Sequence, residues 1–287
     1  MVLEAPPIKA KRTVTWEPLP ANYILPDDPV ENIQQPPLAA GLTDALGAAG
    51  LIGPEMLMAS NLGLVATVNK KIVVKAPDWF YVPQVHPLAE GVIRRSYTPH
   101  TEGANVAIVM EFLSEAEGGE LSVRATPPYG KLHFYEQILQ VPTYVTYDPY
   151  EGILEVRCLQ DGRYVLHSAN EQGRVWIPQL ELYLGIWSGE RLAQTMNWLR
   201  WWDNSGNLLL WSSEQAQQES QRAQLERQRA DQERQRADQE TQRAELERQR
   251  ADQERQRADQ ERQRAELESQ KAQRLATKLR ELGVDPD

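Results

Sequence analysis

The chain has 287 residues and a formal net charge of −10 at pH 7. Its eight tryptophans and three phenylalanines all precede residue 212, so only the first part of the chain can build a large apolar core. From Glu214 onward there are 16 basic and 18 acidic residues, which leaves 15 basic against 23 acidic residues before it. This acidic balance argues against tight, non-specific nucleic-acid binding, but it is compatible with a metal-dependent nuclease.

The single cysteine, Cys158, excludes a disulfide framework and a thiolate metal cluster, and we expect it to be a small core residue. No apolar run approaches the about 18 residues of a membrane-spanning helix. The N-terminal segment carries Lys9, Lys11 and Arg12 among prolines and lacks the apolar stretch of a signal peptide. The sequence therefore predicts a cytoplasmic protein without a membrane partner.

The chain begins with a proline-rich arm, residues 1–37, in which eight prolines prevent a continuous helix or central strand. Apolar residues at helical spacing then predict a short helix over 38–51. A period of two follows, and it predicts short strands at 56–58, 62–68, 72–74 and 79–82.

The middle of the chain has the order strand, helix, strand. Residues 106–113 are almost continuously apolar, which is typical of a central buried strand, and a helix over 131–140 and a strand over 143–147 follow. Asp161-Gly162 predicts a hairpin between 154–159 and 164–167. A last hairpin is expected between 198–202 and 208–211, and the domain is expected to span residues 38–212.

The C-terminal segment, residues 213–287, is a heptad repeat. Alanine recurs every seven residues from Ala216 to Ala272, and no helix-breaking residue appears before Gly283. Many opposite charges lie three or four residues apart, each pair contributing about 0.2–0.5 kcal/mol. We expect a charged helix, which at about 1.5 Å per residue is roughly 100 Å long.

The oligomeric state of this helix stays open at this level. Leucine occurs in every third heptad only, at Leu225, Leu246 and Leu267, so the apolar seam is thin for a coiled coil. A single helix, a weak coiled coil and a disordered segment are the alternatives. Leu275, Leu279 and neighbouring residues form a denser apolar stripe near the end, which favours docking on a protein partner or in a homodimer.

Three residues of the first part carry candidate chemistry. Asp78 follows a proline at the start of a predicted strand, Glu111 interrupts the apolar strand at 106–113, and Lys131 opens the next helix. A buried carboxylate requires a compensating cation, and Mg²⁺ (or Mn²⁺) held by two acids next to a lysine is the minimal apparatus for phosphodiester hydrolysis. The alternative is that Glu111 pairs with a neighbouring cation and Lys131 is an exposed surface residue.

Four motifs in order carry a family resemblance. They are Ala-Pro-Asp-Trp-Phe-Tyr-Val at 76–82, Val-Met-Glu-Phe-Leu-Ser at 109–114, Gly-Lys-Leu at 130–132 and Val-Pro-Thr-Tyr at 141–144. Over about residues 20 to 210 the chain resembles the Uma-two family of the PD-(D/E)XK restriction-endonuclease-like superfamily. The resemblance implies an α/β (α+β) fold with a mixed sheet flanked by helices.

The resemblance also implies roles. Asp78 and Glu111 are then catalytic metal ligands for Mg²⁺ or Mn²⁺, and Lys131 is the catalytic lysine moved to the helix, because Leu113 occupies its usual position. An additional acid from an early helix is expected in the family, and Glu55 is the candidate.

Several other residues have two interpretations. Three arginines could contact phosphates or be ordinary surface residues, namely Arg94, Arg95 and Arg124. His133 is expected to pack rather than to bind metal, and the tryptophans at 198, 201 and 202 are expected in the core rather than stacking on bases.

Two functions follow from these observations. The first is a metal-dependent endonuclease acting on nucleic acid, most simply DNA. The second is a catalytically weak, nuclease-derived scaffold that acts through its helical tail as an interaction protein.

Overall fold

The computed structural model describes residues 13–18, 20, 33–113 and 121–281. The chain divides into two compact units, Met1–Ala216 and Gln217–Asp287. The described strands are β1 (Val14–Thr15), β2 (Leu57–Ala59), β3 (Gly63–Val68), β4 (Lys71–Lys75), β5 (Trp79–Val82), β6 (Ser96–Tyr97), β7 (Ile108–Phe112), β8 (Thr143–Asp148), β9 (Ile153–Gln160), β10 (Arg163–His167), β11 (Val175–Ile177), β12 (Leu182–Arg191) and β13 (Gln194–Trp202). The described helices are α1 (Gln35–Ala48), α2 (Lys131–His133), which continues as a π-helical turn (Phe134–Leu139), and α3 (Ser212–Glu281).

A six-stranded mixed sheet forms the centre of the first unit, with the strand order β10-β9-β8-β7-β5-β2. β7 is antiparallel to β5 and parallel to β8, and α2 with its π-helical turn lies between β7 and β8 in the sequence. All five residues of β7 are buried, which explains why its sequence is apolar without alternation. The mixed α+β fold expected from the sequence is confirmed.

Apolar side chains cover both faces of this sheet. One face packs against α1 and the β11-β12-β13 sheet, and its core contains Trp79, Met110 and Trp201. The opposite face packs against β3, β6 and the π-helical turn, and its core contains Phe80 and Val109. Successive residues of a strand point to opposite faces, so this alternation decides which side chains meet on each side.

The segment 131–140, which was expected to be a single α-helix, is only partly α-helical in the structure. Only Lys131–His133 is α-helical, and Phe134–Leu139 forms a π-helical turn. The N–H groups of Gln140 and Val141 both donate to the carbonyl of Tyr135, which closes the wider turn. The turn buries Phe134 with Tyr135 and Ile138 with Leu139. These two pairs form a broader apolar stripe than a short α-helix presents.

The prediction of a last hairpin between 198–202 and 208–211 is wrong, because the first of these segments pairs with a different strand. β13 pairs along its length with β12, through a turn at Leu192 and Ala193, whereas Leu208 makes only an isolated bridge to Trp202. The Asp203 carboxylate accepts from the Ser205 and Asn207 N–H groups and so holds the turn that leads towards α3.

The tryptophans of this region are core residues, as expected. Trp198 and Trp201 are fully buried and Trp202 is 5% exposed. Trp211 packs edge-on against Trp187 and Trp198, with ring centroids 5.6 Å apart in each pair.

Near the N-terminus, α1 begins at Gln35, three residues before the predicted start. Pro36 and Pro37 occupy its first turn, where a missing N–H group costs no helical hydrogen bond. Most of the predicted arm lies outside the described residues, but Val14–Thr15 pairs with β3.

Cys158 is half-buried rather than a core residue, and burial raises the pKa of its thiol.

The C-terminal repeat is helical, because α3 extends over 70 residues. Its leucines are largely exposed, including Leu225 (49%), Leu246 (55%) and Leu267 (56%). Gly283 and Pro286, the predicted stop residues, lie outside the described residues. Among the helices that the structure describes, none combines the length and the apolar character of a membrane span.

Candidate active site

Asp78 and Glu111 meet on one face of the central sheet. Asp78 directly precedes β5, and the antiparallel register that pairs Trp79 with Met110 places it opposite Glu111. The Asp78 Oδ2 atom accepts a hydrogen bond from the Phe112 N–H, so the backbone beside Glu111 orients this carboxylate. Asp78 and Glu111, which are 33 positions apart in the sequence, therefore share one site.

Lys131 enters the same site from the first turn of α2. Its Nζ atom lies 3.1 Å from Glu111 Oε2, and its side chain is 22% exposed whereas that of Glu111 is completely buried. The lysine thus connects the buried acid with solvent. The structure brings together all three residues that the sequence nominated.

Tyr135 is a fourth member that the sequence analysis missed. Its hydroxyl donates to Glu111 Oε1 over 2.8 Å, so both oxygens of the carboxylate have a donor. Tyr135 follows Lys131 by four residues, and residues at this spacing share a helix face. This four-residue spacing is the signal in the sequence from which Tyr135 could have been predicted.

Gln35 is a fifth member, and it comes from α1. Its Nε2 atom donates to the carbonyl of Phe112 over 2.8 Å, and the residue is 6% exposed. The contact fixes the end of β7 directly after Glu111. No local pattern in the sequence predicts this contact, because Gln35 and Phe112 are 77 positions apart.

The environment of Glu111 opposes its ionisation. Burial is the largest effect and raises the pKa of Glu111, Lys131 and the Tyr135 hydrogen bond lower it, and the charge of Asp78 raises it; together these effects bring the pKa to about 8. The cost of burying the charge therefore outweighs the favourable contacts from Lys131 and Tyr135, and the neutral form of Glu111 is favoured.

Two adjacent carboxylates supply oxygen donors that fit a hard divalent cation, and the charge of such a cation would favour the ionised form of Glu111. Mg²⁺ is commonly held by one or two carboxylates and completes its coordination with water and substrate oxygens. Within residues 13–18, 20, 33–113 and 121–281 no group of three His, Cys, Asp or Glu side chains is arranged for a metal. Asp78 and Glu111 are thus a two-carboxylate set, and Glu55 does not extend it.

Glu55 is an incorrect candidate for a further ligand. It is exposed and lies in the turn before β2 rather than in a helix. Burial and, to a smaller extent, the charge of Glu55 raise the pKa of Tyr81, which belongs to the core on the opposite face of the sheet from Glu111.

The remaining candidates have structural contacts. Arg94 forms an ion pair with Glu102 and lies over the ring of Tyr97, so it is committed within its own loop. His133 is 7% exposed and stacks on Tyr129, with ring centroids 5.9 Å apart, which confirms a packing role.

The family comparison agrees with this geometry. Residues 48–195 match the model of the Uma2 family, whose description reads "Putative restriction endonuclease". The chain belongs to the Uma2 family. The matched region contains Asp78, Glu111 and Lys131, and it covers more than half of the chain. A search of curated proteins finds no match.

Membership in Uma2 points to nuclease activity and to nucleic acid as the class of substrate. The resemblance seen in the sequence is therefore confirmed, and the matched region is narrower than the span of about 20 to 210 that the motifs suggested. α3 lies outside it.

Proposed function

We propose that this Uma2 protein is a metal-dependent endonuclease that hydrolyses phosphodiester bonds of nucleic acid, most simply DNA. The observation that carries the proposal is the fully buried Glu111 beside Asp78, with Lys131 at 3.1 Å. A buried acid with a raised pKa and a lysine reaching towards solvent is typical of a functional site rather than of a stabilising ion pair.

Each residue of the site has a distinct part in this proposal. Asp78 and Glu111 would hold Mg²⁺ or Mn²⁺, which supplies an activated water and charge neutralisation at the phosphate when bound. Lys131 stabilises the negative charge that develops on the attacked phosphate. Tyr135 and Gln35 position Glu111, the first through its carboxylate and the second through the carbonyl of Phe112.

The decisive experiment is an incubation of the full-length protein with supercoiled plasmid and with single-stranded DNA in Mg²⁺, in Mn²⁺ and in EDTA. We expect nicking or cleavage in either metal and none in EDTA. Absence of cleavage, together with absence of Mg²⁺ and Mn²⁺ binding by calorimetry, would contradict the proposal.

α3 supports a second candidate, an interaction scaffold. Its 70 residues expose leucines spaced by 21 positions, as Leu225, Leu246 and Leu267 show. Such a surface suits a second copy of the chain or a helical protein partner, through a weak coiled coil. Failure of the cleavage assay would leave this function as the better account of the protein.

Metal binding is expected to increase with pH. Because the pKa of Glu111 is raised to about 8, the acid is largely protonated at pH 6 and must lose its proton to bind a cation. The apparent affinity for Mg²⁺ should therefore rise about tenfold per pH unit below pH 8 and level off above it. Calorimetric titrations at several pH values would measure this dependence.

The Tyr135→Phe variant provides the internal check of this pH profile. The Tyr135 hydrogen bond lowers the pKa of Glu111, so its loss should move the curve to higher pH. A binding curve that is flat between pH 6 and pH 8 would exclude Glu111 as the titrating ligand.

A further inference from the structure

A groove of about 460 Å³ lies between the β3–β4 hairpin and the segment that precedes α2. One wall is formed by Val68, Asn69 and the residues of β4, and the other by Pro127, Pro128 and Tyr129. Its volume lies within the range of sites that bind ligands of nucleotide size.

The charge around this groove is positive in an otherwise acidic unit. Lys71 and Lys75 line it, and Lys70 lies in the adjoining turn. None of these three lysines forms an ion pair with a carboxylate in the described part of the chain. Other basic residues of the unit do so, among them Arg94, Lys131, Arg157, Arg163, Arg191 and Arg200. The three lysines thus form a local cluster of cations without carboxylate partners beside the groove.

Both walls of the groove lead into the candidate active site. Lys75 ends β4 three residues before Asp78, and Tyr129 precedes Lys131 by two residues. At about 3.3 Å per residue, these separations are at most roughly 10 Å along the chain. A polyanion in the groove is therefore within a few phosphate spacings of Glu111 and Lys131.

Most of the lining is apolar, and its charged and hydrogen-bonding side chains favour phosphates rather than bases. The Tyr129 ring stacks on His133 and the residue is 7% exposed, so it presents no open face to a base. Its hydroxyl makes no hydrogen bond among the described residues and remains able to donate. Ammonium groups and a hydroxyl donor bind phosphate oxygens without reading sequence.

We infer that the groove between β4 and Pro127–Tyr129 holds the sugar-phosphate backbone of the nucleic-acid strand that enters the active site, with Lys71 and Lys75 as its phosphate contacts. The inference rests on the proposed function, because it is the neighbouring phosphodiester chemistry that favours nucleic acid over an acidic peptide. Binding at the groove is independent of base sequence and weakens with salt.

The test measures binding of a fluorescent oligonucleotide, single-stranded and duplex, to the full-length protein by anisotropy in EDTA over a series of salt concentrations. The Lys71→Ala/Lys75→Ala variant is compared with Lys271→Ala/Lys278→Ala, which removes the same charge from exposed positions of α3. We expect the groove variant to bind on the order of tenfold more weakly, with a salt slope smaller by about 1.4 for single strands. The control variant should match the wild type.

The outcomes separate the groove from the catalytic proposal. Equal binding by the groove variant and the wild type, or no binding of either oligonucleotide by the wild type, would overturn the inference. Displacement of the oligonucleotide by an acidic peptide at equal concentration would also overturn it. Weaker binding by the groove variant supports the inference even if no protein cleaves DNA in Mg²⁺, a result that would count against the nuclease alone.

Discussion

Replacing Glu111 by glutamine is expected to lower the rate of Mg²⁺-dependent DNA cleavage by about 100- to 1,000-fold. The substitution keeps the shape of the side chain but removes the charge that would attract the cation into a completely buried position. Asp78→Asn should have an effect of similar size, because its carboxylate lies on the same face, in register with Glu111. Initial rates of plasmid nicking at saturating Mg²⁺ measure both effects.

Glu155→Gln is the matched control for these variants. In the sheet register Glu111 pairs with Thr146, and Thr146 pairs with Glu155, so the three residues form one row. The Glu155 side chain is 37% exposed and bonds to Arg157, and we expect nearly wild-type cleavage after its replacement. Wild-type cleavage by Glu111→Gln, in a protein whose thermal unfolding is also unchanged, would contradict the proposed mechanism.

Removing Glu214 is expected to destabilise the first unit by about 2–3 kcal/mol. Arg200 is completely buried, and two of its nitrogens contact the Glu214 carboxylate, at 2.6 and 3.2 Å. The guanidinium also lies 3.3 Å above the centroid of the Trp211 ring. Glu214→Ala leaves this buried cation without the carboxylate that it contacts and removes the acceptor of the Trp211 backbone N–H.

Urea unfolding followed by tryptophan fluorescence measures this loss selectively. All eight tryptophans precede residue 212, so fluorescence reports on the first unit, whereas helical circular dichroism is dominated by α3. The Arg163–Glu136 pair is the comparison. Arg163 is 72% exposed and lies 3.5 Å from Glu136, and the Tyr164 N–H also donates to the Glu136 carboxylate. Replacement of Arg163 by alanine should therefore change stability by less than about 0.5 kcal/mol.

A double variant isolates the charge effect at Arg200. Arg200→Met combined with Glu214→Ala removes both charges, so it should cost less than the sum of the two single changes. Additive effects would show that the ion pair contributes little and that packing against Trp211 dominates.

Local patterns predicted much of the fold. β7, the hairpin at Asp161-Gly162 and α3 were all evident from periodicity or turn chemistry, because each depends on residues close in sequence. The sequence pattern does not predict β12, because Gly185, Gly189 and the polar end of the strand dilute its apolar alternation. It does not predict the π-helical turn either, because the wider spacing of that turn is set by packing against the sheet.

The sequence by itself determined which residues bear the charge chemistry of the site. A lone acid in the apolar run at 108–112, an aspartate after proline and a helix-opening lysine can be read without coordinates, and the family motifs gave these residues their roles. The long charged repeat likewise predicted its own helix, because the oppositely charged residues that stabilise it are only three or four residues apart.

Only the tertiary structure decided how those residues are supported. Strand register placed Asp78 opposite Glu111, the packing of α1 brought Gln35 to the carbonyl of Phe112, and the π-helical turn delivered the Tyr135 hydroxyl. The raised pKa of Glu111 and the free lysines of the groove also follow from burial and from missing partners, which are properties of the folded chain. Contacts between distant segments depend on packing, and no local pattern in the sequence encodes them.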